Sequence, residues 1–536
     1  MAKEEGGATS TSVDALTIFT FLWSNICVLQ CVKHYHSVKH QLMSQVVSLD
    51  VLLFLLLVAS VFFAVIQPHK SSALLSLCAS HIISLMYQGS QSNHVIMAIV
   101  IAFGVLLDYS ADRVIWQKRL SATTYLILVI LYLVSWTHKL NEDWFDFSVS
   151  CSALFSSGFA SMWLSLPTAQ PSLGHQFADA VIRNSPRNAA IVEITLPSLL
   201  LLWRATSTPT FTKMFSTFVF KFLITLAASF HLMICLPLPP MSVYPFSMVM
   251  VPMYILTLPE GSIKVIGKIS NNMWVVAGIV AALSVAVKYT VGMILNGEEM
   301  PLEYPAYGLW TTAVVWNVLV WAGILYATFT VTTSESMKAP TFTYRSKGVI
   351  LALFLGFIGI CPYLGIRNYP ALAMFSNLRT EGSSPNHRIL PPMAILSFQS
   401  DTVHIHDTNL QSLRHYQVNL ASYFSEHTKR FNTASGVTNE FWITPPSWTP
   451  PDSRPTPFVP YSIPVIELRK HISSQANKDF YVNFTMNADP AHHHIFYSSD
   501  PGSYDSYGHL TLPVSWLERG IFRFRSFDST YSPCRH

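Results

Sequence analysis

Twelve apolar runs of spanning or near-spanning length fill the first 363 residues, near 15–32, 46–66, 71–87, 94–108, 122–137, 149–165, 188–203, 214–235, 242–258, 273–295, 307–332 and 347–363. A straight transmembrane helix needs about 20 apolar residues to cross a hydrocarbon core of about 30 Å. With no water there to pair with backbone N–H and C=O groups, the runs must close their own hydrogen bonds as helices. Several are short enough to be re-entrant or merged, which leaves about eight to twelve spans. Only 12% of the 536 residues are charged, against roughly 25% in soluble domains. The fold class expected is therefore an α-helical, multi-pass integral membrane protein surrounded by membrane lipid. Residues 1–14 form a polar tail, acidic at Glu4 and Glu5, without the basic stretch of a cleaved signal peptide. The first run is thus expected to stay in the protein, and 15–363 to form the transmembrane bundle. No internal repeat of fixed period is visible.

From 364 to 536 the composition changes to that of a small, mostly β soluble domain. It has short runs at Met393 to Phe398, Val403 to His406 and Phe480 to Phe484, an amphipathic helix at Val465 to Ser474, and a proline-rich loop at 445–464. Orientation follows from the last loops of the bundle. Residues 296–306 carry Glu298, Glu299 and Glu303, whereas 333–347 carry Lys338, Arg345 and Lys347. The positive-inside rule puts the second loop in the cytoplasm and the C-terminal domain in the lumen or exterior, with the endomembrane system favoured. Asn483-Phe484-Thr485 is then a candidate glycosylation site. Arg113, Lys118 and Arg119 fall on the opposite side in a strict twelve-span count.

The net charge of +4 is scattered, with no basic stripe, so nucleic acid is not an expected partner. The seven cysteines form no CxxC pair and read as small buried hydrophobes, not a disulfide framework. His404 and His406 would share one strand face, and His492-His493-His494 follows later. A zinc site needs three or four ligands, and no cysteine or carboxylate is spaced to complete one, so no metal site is expected. Phosphate-loop and serine-nucleophile motifs are absent.

Ionisable residues inside the runs are Asp50, His81, His94, Lys139, Glu193, Lys221, His231 and Lys288. Each costs about 2.5–3.5 kcal/mol at a helix centre unless it is paired, wetted or interfacial. Lys139 stands out, crowded by Asn141, Glu142, Asp143 and Trp144. One reading is an interfacial anchor, a snorkelling lysine beside an aromatic-belt tryptophan. The other is that Lys139 points into the bundle, where shielding from water leaves a neutral amine as general base.

The stretch His138-Lys139-Leu140-Asn141-Glu142-Asp143-Trp144 resembles the lysine-bearing segment of vitamin K-dependent gamma-glutamyl carboxylase and its HTTM-domain relatives. Asn93-His94, Glu193 with its following leucines, Ser229-Phe230-His231-Leu232-Met233 and Tyr244-Pro245-Phe246-Ser247-Met248 resemble further family segments in the same order, over residues 90–260. The resemblance implies that Lys139 deprotonates reduced vitamin K or a related quinol, whose reaction with O2 gives a strong base. That base removes a glutamyl γ-proton, and CO2 adds to the carbanion of a protein substrate. By the same resemblance Asp143 and Glu193 orient or tune Lys139, and His231 joins the catalytic set. His94, Asn141, Trp144 and Phe246 would contact the quinol. The chain departs from the pattern at Leu107 to Arg113, where the carboxylase has a histidine and this sequence has none, and no propeptide-binding region is recognisable. Oxidative tailoring of another lipophilic molecule fits the same residues.

After the last run, Asn377, Arg379, Glu381 and His387 read as a polar cluster that closes the bundle mouth or fixes the tail. A different class of function, a non-catalytic membrane scaffold or sensor whose lumenal domain binds a partner, is the alternative. Transport comes third, since Pro237, Pro239, Pro240, Pro245 and Pro252 interrupt the runs without repeat symmetry.

Overall fold

The computed structural model describes residues 13–43, 48–87, 92–147, 150–153, 155–156, 173–207, 213–237, 243–268, 303–331, 346–373, 376–382, 385–390, 401–415, 460–474, 479–487, 489–500, 510, 512, 514–515, 518 and 521–524. In chain order the helices are α1 (Ala15–Met43), α2 (Leu49–Ile66), α3 (Ser71–Tyr87), α4 (Asn93–Leu107), α5 (Arg113–His138), α6 (Glu142–Phe145), α7 (Leu173–Thr206), α8 (Lys213–Cys235), α9 (Tyr244–Thr257), α10 (Glu260–Lys268), α11 (Glu303–Thr330) and α12 (Val349–Ile360). There follow β1 (Thr402–Thr408), α13 (Gln411–His415), β2 (Tyr461–Pro464), α14 (Val465–Ser473), β3 (Tyr481–Met486) and β4 (Asp489–Tyr497).

Among the described residues six helices are long and apolar enough to cross a membrane, or seven if the bent pair α9 and α10 is one span. This is fewer than the eight to twelve expected. The runs at 71–87, 94–108 and 347–363 become helices of 17, 15 and 12 residues, too short for a straight crossing of about 20. The run at 242–258 turns by 116° into α10. The break falls at Leu258, which precedes Pro259 and is extended (φ −64°, ψ 145°), as the proline ring demands of its predecessor. The run at 273–295 lies outside the described residues, as do most of 149–165 and the segment Met393 to Phe398. Several long apolar helices fit a multi-pass membrane protein.

The chain divides into two compact units, one drawn from 1–90, 94–129 and 196–352, the other from 91–93, 130–195 and 353–536. In the first, α1 packs on α2, α3 and α9, and α9 also meets α8 and α11. Every residue of α9 from Ser247 to Thr257 is buried, as an all-round apolar helix must be. By contrast α2 turns Leu52, Leu55, Leu56 and Phe62 outward, which in water would be an aggregation surface and in lipid is a solvated one. Asp108, at the C-terminal end of α4, is fully buried. Its carboxylate accepts bonds from Thr123 Oγ1 (2.5 Å), Ser346 Oγ (2.8 Å) and the Gly348 amide (3.1 Å), which fixes the approach to α12.

In the second unit β1 to β4 form one antiparallel sheet in the order β2-β1-β3-β4. The period of two sends Val403, Ile405, Ile463, Val482, Phe484 and Phe496 into a core with α14, and His404, His406, Thr485 and His493 to the opposite face. The strands expected at Val403 to His406 and Phe480 to Phe484 and the helix at Val465 are present. Most of the proline-rich loop lies outside the described residues.

A Cβ at Gly348 would run into Thr123 Oγ1 and the Asp108 carboxylate, whereas one at Gly104 meets nothing nearer than 3.6 Å. Gly348→Ala is expected to destabilise the protein by about 1–3 kcal/mol through overpacking. Gly104→Ala should leave stability level or slightly raised, because alanine is the better helix former. Apparent melting temperatures of the two variants in the same detergent check this.

Candidate functional site

Helix α5 ends at His138, and the next turn of chain is organised by Asn141. The Asn141 side-chain oxygen accepts the Trp144 amide (2.8 Å), which makes it the N-cap of α6. Glu142 and Asp143 occupy the first turn, where carboxylates suit the positive end of the helix dipole. The pair of acids at Glu142 and Asp143 therefore has a local structural reason.

The Lys139 side chain folds back along α5 and is 5% exposed, so it does not snorkel. Its Nζ donates to Ser135 Oγ one turn earlier (3.0 Å) and to both oxygens of Glu193 on α7 (2.8 and 2.7 Å). Ser135 also donates toward the same carboxylate at 3.3 Å. The Trp144 ring lies 5.1 Å from Nζ, a cation–π distance, and its indole N–H is fixed by the Pro186 carbonyl at 2.9 Å. Glu193 is as buried as the lysine, at 6% exposure. Three helices thus converge on one buried charge pair.

The segment after α12 clasps this stretch. Asn141 Nδ2 donates to the His138 and Ser376 carbonyls (2.8 and 2.6 Å). Asn386 Nδ2 donates to Asp143 (2.7 Å) and to the Asn377 carbonyl (2.8 Å), and its own carbonyl accepts the Glu142 amide. The Arg388 amide donates to the Leu140 carbonyl, and Asn377 accepts the Cys151 amide at 2.8 Å. Asn377 adopts a left-handed conformation (φ 53°), which asparagine tolerates better than most residues. His387 accepts the Ile389 and Leu390 amides at Nδ1, which assigns the proton to Nε2, and that nitrogen donates to the Thr137 carbonyl (2.9 Å). Burial holds its imidazole below the usual histidine range, partly offset by the Thr137 bond. Glu381 bonds Asn368 and the Thr380 amide.

Of the residues singled out in the sequence, Lys139, Glu193 and Trp144 come together, with Asn141 and Asp143 beneath them as cap and brace. His94, His231 and Phe246 belong to the first unit. His231 is fully buried there, parallel to Trp321 (centroids 6.0 Å apart) and 5.8 Å from Phe246. His94 lines a small cavity with Tyr244 and Pro245. Ser135 and Asn386 were not anticipated. Ser135 sits four residues before Lys139, on the same helix face, a spacing that could have marked it; Asn386 had no comparable signal.

Cys151 corrects the expectation of seven unpaired thiols, because it is disulfide-bonded. Five cysteines are free, and Cys534 lies outside the described residues. Asn483 lies half-buried in β3, with its side-chain oxygen enclosed and unpartnered among the described residues. His406 stands 4.8 Å from His404 and 4.4 Å from His493 by ring centroids. No group of three or more His, Cys, Asp or Glu among the described residues could hold a metal ion. Comparison of the chain with protein-family models, curated proteins and solved structures returns no match.

Removing one member of a buried charge pair strands the other. Glu193→Ala is expected to cost about 3–5 kcal/mol, and the double change Lys139→Met with Glu193→Met much less, because two apolar side chains of similar length leave no buried charge. Melting of the single and double variants in one detergent tests the coupling.

Proposed function

We propose that the chain is a membrane-embedded enzyme in which Lys139 acts as general base on a lipophilic quinol-type substrate, with glutamyl carboxylation or oxidative tailoring as the outcome. What supports this is one observation: a buried lysine, held at Nζ by Glu193 and Ser135 and faced by Trp144. The resemblance of 138–144 to the carboxylase segment gives that arrangement its chemistry.

The donor set fits such a substrate. A reduced quinone supplies an acidic hydroxyl and the electrons for reaction with O2. Lys139 Nζ takes the hydroxyl proton as a free amine, since an ammonium has no lone pair, so the proton it carries in the ion pair with Glu193 must leave to solvent before the quinol binds. Glu193 stabilises the ammonium so formed, through two short charge-assisted contacts. Ser135 keeps Nζ on the α7 side of its helix, and Trp144 offers a flat apolar face. The burial of all four slows the quenching of a strong base by water.

A lumenal or extracellular placement of the region after 364 is part of the proposal. The disulfide at Cys151 favours it, because such bonds persist in oxidising compartments, and the Cys151 amide is bonded to Asn377 of that region.

Membranes carrying the wild type are expected to convert a reduced naphthoquinone to its epoxide under O2, and those carrying Lys139→Met to lose the rate by about 10²- to 10⁴-fold, the contribution of a general base. Equal rates from the two, at equal protein levels, would sink the enzyme reading and leave the scaffold or sensor role.

A further inference from the structure

The link from α2 to α3, the link from α4 to α5, the link from α7 to α8 and the start of α12 share one end of the first unit. Arg113, at the start of α5, donates to the Asp14 carboxylate just before α1 (2.9 Å) and to the His69 carbonyl after α2 (2.7 Å). Asp108, at the end of α4, holds Ser346 and Gly348 ahead of α12. Helix α7 runs antiparallel to α5, with Leu200 bonded to Tyr125 and Glu193 to Ser135, so it ends where α5 begins. Helix α8 then starts beside it, with Phe220 against Trp203 (centroids 4.7 Å) and Ser216 near Ser207 (3.4 Å). Lys70, Lys118, Lys213 and Lys347 are exposed at this end, and none makes an ion pair among the described residues. The carboxylates beside them are engaged: Asp14 by Arg113, Asp108 by two hydroxyls and an amide, and Asp112 by the Val114 and Ile115 amides (2.8 and 3.3 Å). Each lysine stands within four residues of a large apolar side chain turned outward, Ile66, Val114, Met214 and Ile350 in the same order, and these are 56–83% exposed.

We propose that this end of the first unit binds anionic phospholipid, with each lysine pairing with a negative headgroup and its apolar neighbour lying against the acyl chains. A lysine stem can lie along apolar surface while its ammonium reaches the headgroup plane, and each base beside an anionic bilayer strengthens binding by about fivefold. The pairing of every base with an outward apolar side chain selects a lipid. A nucleic acid or an acidic polypeptide would match the charge but leave Ile66, Val114, Met214 and Ile350 in water. The loop 333–347, which the positive-inside rule puts in the cytoplasm, leads into Lys347, and the cytoplasmic leaflet is the one that carries anionic lipid. Arg113, Lys118 and Arg119 fall on the same side as that loop, contrary to a twelve-span count, because Asp108, five residues ahead of Arg113, is bonded to Ser346. The site is independent of the role given to Lys139.

The test uses the full chain reconstituted in phosphatidylcholine vesicles, with a trace of phosphatidylserine or of phosphatidylcholine carrying the same diazirine on its acyl chain, and peptide mass spectrometry as the readout. At the peptides that hold Ile66, Val114, Met214 and Ile350, label from the phosphatidylserine probe is expected to exceed that from the phosphatidylcholine probe by about five- to twentyfold at low salt. The excess should fall below about twofold in about 1 M NaCl, where charges are screened within about 3 Å. Around Leu52 and Met233, at the far ends of α2 and α8, the two probes should label alike. Replacing the four lysines together, Lys70→Gln, Lys118→Gln, Lys213→Gln and Lys347→Gln, should remove the excess, whereas arginine at the same four positions should keep it. Melting curves establish that each variant is folded; should the glutamine variant fail to fold, the salt dependence and the comparison with Leu52 and Met233 in the wild type decide. An excess undiminished by salt or in the folded glutamine variant, or an equal excess at Leu52 and Met233, would overturn the site. Equal labelling by the two probes at low salt would also overturn it and leave the lysines to a soluble acidic partner.

Discussion

A charge inside an apolar bundle must be met by another charge or by fixed dipoles, because the low dielectric that strengthens a good contact also magnifies a missing one. The Lys139–Glu193 pair meets this condition with both side chains buried and oxygen–nitrogen distances of 2.7 and 2.8 Å. Three separate pieces of backbone must be held still for it: the last turn of α5, the short α6 that brings Trp144, and the middle of α7. If one moved by an ångström, the contacts to Nζ would lengthen beyond hydrogen-bond distance. Much of the polar bonding in this part of the protein serves to prevent that movement.

The residues that do so come from far along the chain. Asn141 reaches Ser376, Asn386 reaches Asp143, and the amides of Glu142 and Arg388 pair with carbonyls on the opposite segment. Asparagine is suited to this work, since one side chain offers two donors and an acceptor without adding charge. His138 donates to the Gly359 carbonyl at 2.7 Å, and a Cβ at Gly359 would overlap Val134, so close approach of α12 to α5 also fixes the end of the lysine's helix. The cluster expected at Asn377, Arg379, Glu381 and His387 is thus a clasp. His387 bonds Thr137 at the end of the lysine's helix and Asn377 bonds Asn386 and Cys151, while Glu381 ties down its own loop through Asn368 and Thr380.

How much of this could be read in advance depended on the range of the interaction. Helices, the amphipathic α14 and strands β1 and β3 were legible, because periodicity and turn residues are local. Lys139 and Trp144 were legible as a dense cluster at the end of an apolar run and Glu193 as a lone acid inside a later one, but that the three meet was not. Asn386 was hidden, because a polar contact between residues more than 200 positions apart leaves no pattern in either segment, and the disulfide at Cys151 because no cysteine spacing in the sequence marks it. Among the described residues fewer spans are found than runs were read, because hydropathy registers an apolar run but not how much of it is straight helix: three runs give helices of 17, 15 and 12 residues, and a fourth bends at its end, at Leu258. Arg113, which stood on the wrong side in the orientation count, makes a bidentate contact with Asp14 at 2.9 Å and bonds the His69 carbonyl. Its position is set by a pairing that counting basic residues does not see.

Asp108 and Glu193 show that burying a carboxylate has two solutions with different chemical consequences. Asp108 is saturated by two hydroxyls and a backbone amide, all neutral donors, and among the described residues no cationic side chain pairs with it. Such a group is a fastening: protonating it would forfeit three bonds at once, and nothing beside it could take up the proton. Glu193 instead faces an amine, the one partner able to exchange a proton with it directly, and Ser135 is placed to follow either oxygen. Moving the proton between Nζ and the carboxylate would exchange an ion pair for a neutral hydrogen-bonded pair without stranding a charge. That difference, and not burial alone, separates the Lys139 pair from Asp108.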